Sequence, residues 1–110
     1  MKKIAMIDLD GVLNTYAGKY NENIINPIRK GAKEFLKNLS KDFQIKIFTV
    51  RDKNLTQEWL IQNNISEYIV DITNIKDPRA SIFLDDRGLN FNGNFKETLV
   101  KIQNFKPFWK

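Results

Sequence analysis

Four carboxylates occur as two short acidic motifs, each directly after an apolar run of the sequence. Asp8 and Asp10 belong to the string Asp-Leu-Asp-Gly, and Asp85 and Asp86 are adjacent. Short apolar runs are typical of buried parallel strands. Ligands of open α/β sheets bind outside the carboxyl ends of the strands. We therefore expect the four carboxylates to meet at one edge of a sheet.

Other polar side chains are expected at the same edge. Thr49 and Arg51 follow the second apolar run, and Lys76 precedes the run that ends at Asp85. Clustered carboxylates in a crevice of low dielectric repel one another, and a divalent cation would relieve that repulsion. The simpler interpretation is that each acid caps a helix or lies solvated in a loop.

The composition excludes several kinds of chemistry. The 110 residues contain no His and no Cys, so thiol nucleophiles, His bases and Cys-based zinc sites are absent. With 18 Lys and Arg against 13 Asp and Glu the net charge is +5, but the basic residues are scattered, so nucleic acid is a possible partner that is not favoured. We expect one domain over residues 1–110, cytoplasmic and without a membrane segment.

Alternating strands and helices predict an α/β fold, a three-layer Rossmann-like parallel sheet with helices on both faces. The predicted strands are Lys3–Leu9, Gln44–Val50, Tyr68–Thr73 and Ser81–Leu84. The first predicted helix begins at Pro27, with Asn26 as its N-cap. The second includes Leu55 and ends at Asn63-Asn64, and the third follows Asn94, which resembles a capping box with Glu97.

These residues resemble a known superfamily. Asp8-Leu9-Asp10-Gly11-Val12-Leu13, Thr49, Lys76 and Asp85-Asp86 are similar to the four motifs of the haloacid dehalogenase (HAD) phosphatases, in the same order. The strings around them resemble small bacterial and phage members. The resemblance implies a HAD-like fold and a phosphomonoester hydrolase.

The resemblance also implies roles for the acids. Asp8 would be the nucleophile that forms an aspartyl-phosphate, and Asp10 the general acid and base, with its backbone carbonyl bound to the metal. Mg²⁺ is the expected cofactor, held by Asp8 and Asp85, with Asp86 as a direct or water-mediated ligand. Residues two apart in a strand lie on the same face, and we expect the chain to leave strand geometry at Leu9, as Gly11 permits, with Asp8 and Asp10 in one site.

The remaining motif residues would bind the phosphoryl group. Thr49, opening a helix, would hold a phosphate oxygen with the backbone amides at that N-terminus. Lys76 would neutralise the nucleophile and the phosphoryl oxygens. A solvated loop lysine is the simpler interpretation of Lys76.

The intervals 14–26 and 51–76 are too short to hold a cap domain, so we expect a capless, open site. A second subunit could close it, and both a monomer and a homo-oligomer fit. Six residues are candidate substrate contacts: Gly11, Tyr16, Lys19, Tyr20, Arg51 and Arg87. Tyr16 and Tyr20 could instead pack on the core, and the two arginines, which resemble those of polynucleotide 3′-phosphatases, could instead pair with the acids.

The expected substrate is a small phosphorylated metabolite, either a sugar phosphate or a nucleotide phosphate. Two alternatives stay open: processing of nucleic-acid ends in the manner of a polynucleotide 3′-phosphatase, and a non-catalytic interaction domain on the same fold. Three aromatics in Phe105–Lys110 predict either a docked segment or a subunit contact.

Overall fold

The computed structural model describes residues 2–110 and is built on a parallel four-stranded sheet. The strands are β1 (Lys3–Asp8), β2 (Phe43–Phe48), β3 (Ile69–Thr73) and β4 (Ala80–Leu84), in the order β3-β2-β1-β4. The α-helices are α1 (Ala32–Leu39), α2 (Lys53–Gln62) and α3 (Phe95–Asn104), and one short 3₁₀ turn spans Ser66–Tyr68. The predicted α/β, Rossmann-like class is confirmed.

Strand β1 lies at the centre of the sheet because its side chains are apolar on both faces. Residues 4–7 are all buried, as the continuous apolar run predicts. Asp8 pairs with Phe48 of β2, and Ile7 pairs with Leu84 of β4. The last residues of β1, β2 and β4 therefore lie side by side, and the polar residues that follow them begin at one edge.

The core lies on the face of the sheet that carries Ala5 and Ile7. Helices α1 and α2 cover this face with Leu36, Trp59 and Leu60. Full burial of one Leu or Ile side chain contributes about 1.5–3 kcal/mol. The sheet and these two helices form the rigid part of the fold that positions the strand ends.

The opposite face, which carries Met6, is crossed by the connection between β3 and β4. Within this connection the Asp77 N–H donates to Met6 Sδ at 3.2 Å, and Lys46 Nζ of β2 lies 2.9 Å from Asp77 Oδ2. Helix α3 buries none of its side chains. The structure thus shows helices packed on one face, and the predicted helical layer on the second face stays a prediction.

Helix α1 begins five residues later than the sequence predicts, so the proposed Asn26-Pro27 cap is wrong. The backbone there pairs with the loop that follows β1: Thr15 N–H donates to Pro27 O at 2.9 Å, and Arg29 N–H donates to Leu13 O at 2.8 Å. Extended pairing satisfies the same groups that a helix would use, and proline tolerates it. The helix starts only after Gly31, which has a φ of 88°.

Helix α2 is capped by Asp52, whose Oδ2 accepts from Leu55 N–H at 2.9 Å. Thr49 therefore lies before the helix and does not open it, contrary to the sequence prediction. Asp is among the strongest N-cap residues, and it satisfies a helix N–H that has no partner inside the helix.

Helix α3 has the predicted cap but only half of the predicted capping box. Asn94 Oδ1 accepts from Glu97 N–H at 3.0 Å, whereas the Glu97 carboxylate accepts from Asn92 Nδ2 at 3.0 Å.

Among residues 2–110, no helix combines the length and the apolar character needed to cross a bilayer.

We expect Asp77→Asn to lower the thermal unfolding midpoint at neutral pH. Hydrogen bonds from Arg79 and from Lys46 hold the pKa of Asp77 well below its usual range. A carboxyl with a depressed pKa stabilises the fold above its unfolded pKa of about 4, and this contribution is lost as the pH falls below that value. The difference between variant and wild type should therefore shrink in acid.

Asp71→Asn is the matched control, because Asp71 faces Lys53 at 3.7 Å in an exposed pair of the kind that contributes little. Equal midpoints for Asp77→Asn and Asp71→Asn at pH 7 would contradict the anchoring role of Asp77.

Candidate functional site

The chain turns out of the sheet directly after Asp8. Residues Leu9–Leu13 form one wide turn, closed by the Asn14 N–H, which donates to Leu9 O at 3.3 Å. Gly11 has a φ of 84° within this turn. Asp8 and Asp10 therefore line the same cleft, of about 230 Å³. The predicted departure from strand geometry is confirmed.

Asp8, Asp85 and Asp86 form a compact acidic cluster. One carboxylate oxygen from each lies within 4.8 Å of the others. Burial raises the pKa of Asp8 to about 8, and the charges of Asp85 and Asp86 add to that increase. Carboxylates are the donors that Mg²⁺ and Ca²⁺ prefer, and a divalent cation would offset this excess of negative charge. The cluster could hold such an ion.

Three of the four carboxylates at this edge, those of Asp10, Asp85 and Asp86, accept hydrogen bonds from nitrogen donors. Arg87 N–H donates to Asp85 Oδ1 and Trp109 Nε1 donates to Asp86 Oδ2, each at 2.6 Å. In residues 2–110 no nitrogen donates to the Asp8 carboxylate, which is consistent with its raised pKa.

Asp10 is held by a buried arginine. Arg51 Nε lies 2.9 Å from Asp10 Oδ2, and Arg51 Nη2 lies 3.0 Å from Asp10 Oδ1. The Arg51 side chain is 1% exposed, its Nη1 donates to Asn21 O at 2.7 Å, and the Tyr20 ring covers it at 4.5 Å. Three of the five guanidinium N–H groups are therefore used within the chain, and two of these three orient Asp10.

Asn14 is a central residue of the turn, and sequence analysis missed it. Its buried side chain accepts from the N–H groups of Gly11 and Tyr16, at 3.1 and 3.0 Å, and donates to Asp10 Oδ1 at 3.0 Å. Gly11 is a predicted substrate contact, but its N–H already donates to Asn14 within the turn. An Asn in a loop is usually solvated, and only its place three residues after Gly11 could have suggested this role.

Lys76 lines the larger of two cavities that meet at Asp8 and Asp85. This cavity, of about 560 Å³, also has Phe83 and Leu89 in its wall. Lys76 Nζ lies 5.4 Å from the centre of the Phe83 ring. Among residues 2–110 no carboxylate lies within ion-pair distance of Lys76, so its charge is available to an anion beside Asp8.

Thr49 lies at the same edge but in an adjoining cavity. It follows Phe48, the register partner of Asp8, and is buried. Its Oγ1 accepts from the Arg51 N–H at 3.2 Å, and it lines a cavity of about 280 Å³ with Arg51. The structure thus places Thr49 one strand away from the acidic cluster.

Aromatic and cationic side chains form the outer wall of the acidic cleft. Tyr16, Tyr20 and Arg87 line it, and Arg87 Nη2 donates to Tyr16 Oη at 3.1 Å. Lys19 is exposed and does not belong to the described residues that line the cleft. Trp109 packs against this wall, with its ring centre 5.7 Å from that of Tyr16.

No family model, curated protein or solved structure matches this chain.

We expect Gly11→Ala to impair both the fold and the acidic cluster. The left-handed backbone at Gly11 costs a residue with a side chain about 1–2 kcal/mol. A Cβ at this position would also lie 2.7 Å from Asp86 Cγ, so Asp86 must move. The affinity for Mg²⁺, measured by calorimetry, should fall together with the thermal midpoint.

Gly93→Ala is the matched control, because Gly93 has a φ of 94° and a Cβ there would meet no atom within 4 Å. It should show the loss of stability alone. Equal Mg²⁺ affinities in the two variants would contradict the contact between Gly11 and Asp86.

In metal-free protein, we expect Asp8 to destabilise the fold as the pH rises. Its pKa is about 8 when folded and about 4 when unfolded. Between these values the folded chain binds the extra proton, so the free energy of unfolding falls as the pH increases. Asp8→Asn should remove this slope, and urea unfolding in EDTA from pH 4 to 9 measures it. A difference between the two chains that does not change with pH would contradict the burial of Asp8.

Proposed function

We propose that this chain is a Mg²⁺-dependent phosphomonoester hydrolase of the HAD type that works through an aspartyl-phosphate. One observation carries the proposal: the oxygens of Asp8, Asp85 and Asp86 lie within 4.8 Å of one another, in a cleft that Asp10 also lines. The strand order β3-β2-β1-β4 supports it, because Asp8 ends the central strand where the acidic residues after β4 can reach it.

The proposed nucleophile is Asp8. One of its carboxylate oxygens attacks phosphorus, and the bond between phosphorus and the leaving oxygen breaks as Asp10 gives that oxygen a proton. Mg²⁺, when bound to Asp8, Asp85 and Asp86, supplies positive charge that keeps Asp8 ionised and stabilises the phosphoryl oxygens. Asp85 and Asp86 serve to hold the ion.

The second step uses Asp10 as a base. It removes a proton from water, whose oxygen attacks the phosphorus of the aspartyl-phosphate and releases phosphate from Asp8. The Asp10 carboxylate accepts three hydrogen bonds from Arg51 and Asn14, which is the ionised form that this second step uses, and the proton taken from water restores the acid form used in the first step. Arg51 and Asn14 therefore serve to fix its orientation.

Lys76 and Thr49 are proposed to bind the phosphoryl group. Lys76 has no ion-pair partner among the described residues and shares a cavity with Asp8 and Asp85, so its ammonium can face the equatorial oxygens. Thr49 lies at the same edge of the sheet as the acidic residues, and its Oγ1 accepts a hydrogen bond from the Arg51 N–H. Its hydroxyl proton remains free to donate to a phosphate oxygen.

The proposed substrate is a small phosphorylated metabolite. The acidic cleft is open, and the exposed ring of Tyr20 at its entrance offers a surface for a sugar or a nucleobase. A nucleic-acid end is a weaker proposal, because Arg51, which resembles an arginine of polynucleotide 3′-phosphatases, is buried against Asp10.

We expect Asp8→Asn to abolish phosphatase turnover, because an amide oxygen is a poor nucleophile for phosphorus. Turnover is to be measured with Mg²⁺ on a panel of sugar phosphates, nucleotide monophosphates and 3′-phosphorylated oligonucleotides. Removal of the ion with EDTA should have the same effect and should be reversed by Mg²⁺.

Asp42→Asn is the matched control, because Asp42 is exposed and directly precedes β2, at the end of that strand opposite the site. It should retain wild-type turnover. Turnover in Asp8→Asn equal to that of Asp42→Asn would overturn the mechanism, and activity confined to the oligonucleotides would replace the proposed substrate class.

A further inference from the structure

Trp109 makes a direct contact with the acidic cluster. Its indole Nε1 donates to Asp86 Oδ2 at 2.6 Å. Trp109 follows α3 in a stretch without helix or strand, which a turn from Lys110 N–H to Pro107 O folds back. Within the segment Phe105–Lys110, Trp109 thus docks on Asp86 and not on the core, and the predicted subunit contact stays a prediction.

The indole ring is packed on several sides, so its N–H has a fixed direction. Tyr16 meets it edge to face, and Arg87 Cζ lies 5.7 Å from its centre. A Cβ at Gly18 would lie 3.4 Å from Trp109 Cζ3, which shows how closely the backbone of that loop approaches. An aromatic ring held in this way can position a hydrogen-bond partner.

Asp86 is confined between Trp109 and the turn after β1. The backbone at Gly11 comes so close that a Cβ there would lie 2.7 Å from Asp86 Cγ. The indole N–H fixes the carboxylate from a second direction. Without it, Asp86 could rotate away from the cluster, because the neighbouring carboxylate of Asp85 repels its charge.

We propose that Trp109 is a positioning residue of the acidic cluster, whose indole N–H holds the Asp86 carboxylate beside Asp8 and Asp85 and so strengthens binding of a divalent cation. The inference rests on the proposed function, because it takes the cluster to be a Mg²⁺ site. Residues that orient metal ligands by hydrogen bonds typically change the affinity for the ion by about 10- to 100-fold.

The decisive variant is Trp109→Phe, which keeps an aromatic ring and removes the N–H. Titration calorimetry with Mg²⁺ alone, without substrate, should give a dissociation constant about tenfold above that of the wild type. A role in folding alone would lower the thermal midpoint and leave this constant unchanged.

Two controls separate the contact from general effects. Trp59→Phe makes the same chemical change in the core, and Phe108→Ala alters the same segment at a side chain that packs on Arg29. Both should keep the wild-type affinity for Mg²⁺. In a Trp59→Phe background Trp109 is the sole tryptophan, and the wavelength of its metal-free emission should change when Asp86 is changed to Ala, because the indole N–H loses its acceptor.

The outcomes are distinguishable. Equal Mg²⁺ affinity in Trp109→Phe and wild type, or tighter binding in the variant, would overturn the role of Trp109 while the proposed function stands. A wild-type chain that binds no Mg²⁺ and turns over no phosphoester would overturn the proposed function, and the positioning role would fall with it. An emission of Trp109 that does not respond to Asp86→Ala would contradict the contact itself.

Discussion

The site depends on the burial of one carboxylate, that of Asp8, among three others. Asp10 is compensated by Arg51, Asp85 by a backbone N–H and Asp86 by Trp109, whereas no nitrogen in residues 2–110 donates to Asp8. Its negative charge is therefore the least stabilised at this edge of the sheet, as its raised pKa indicates. A cation bound here would stabilise the one acid of the four to which no nitrogen of residues 2–110 donates.

Much of this arrangement follows from local sequence. An apolar run that stops at Asp8 predicts a buried strand, and Gly11 permits the left-handed turn that brings Asp10 beside it. Parallel pairing then fixes which residues share an edge, so the two acidic motifs predict a common edge. That Asp85 and Asp86 lie next to Asp8 depends on the strand order, which places β4 beside β1. The predicted start of α1 is wrong because Pro27 suits both a first helical turn and the extended pairing that it makes with Thr15.

The identity of each donor could not be predicted, because these contacts join residues far apart in the chain. Arg51 lies 41 residues from Asp10, and Trp109 lies 23 residues from Asp86. An arginine beside a strand end serves equally well as a phosphate ligand or as a partner for an acid, and only burial distinguishes the two. The same is true of Thr49, whose place relative to α2 depends on Asp52 as the helix cap.

The docking of Trp109 on Asp86 gives the two ends of the described chain unequal surroundings. Lys3 begins β1, so it lies about 17 Å from Asp8 along the strand. Lys110 directly follows the residue that touches the cleft. Any polypeptide joined after Lys110 would leave from beside the acidic cluster, whereas one joined before Lys3 would leave from the far edge of the sheet.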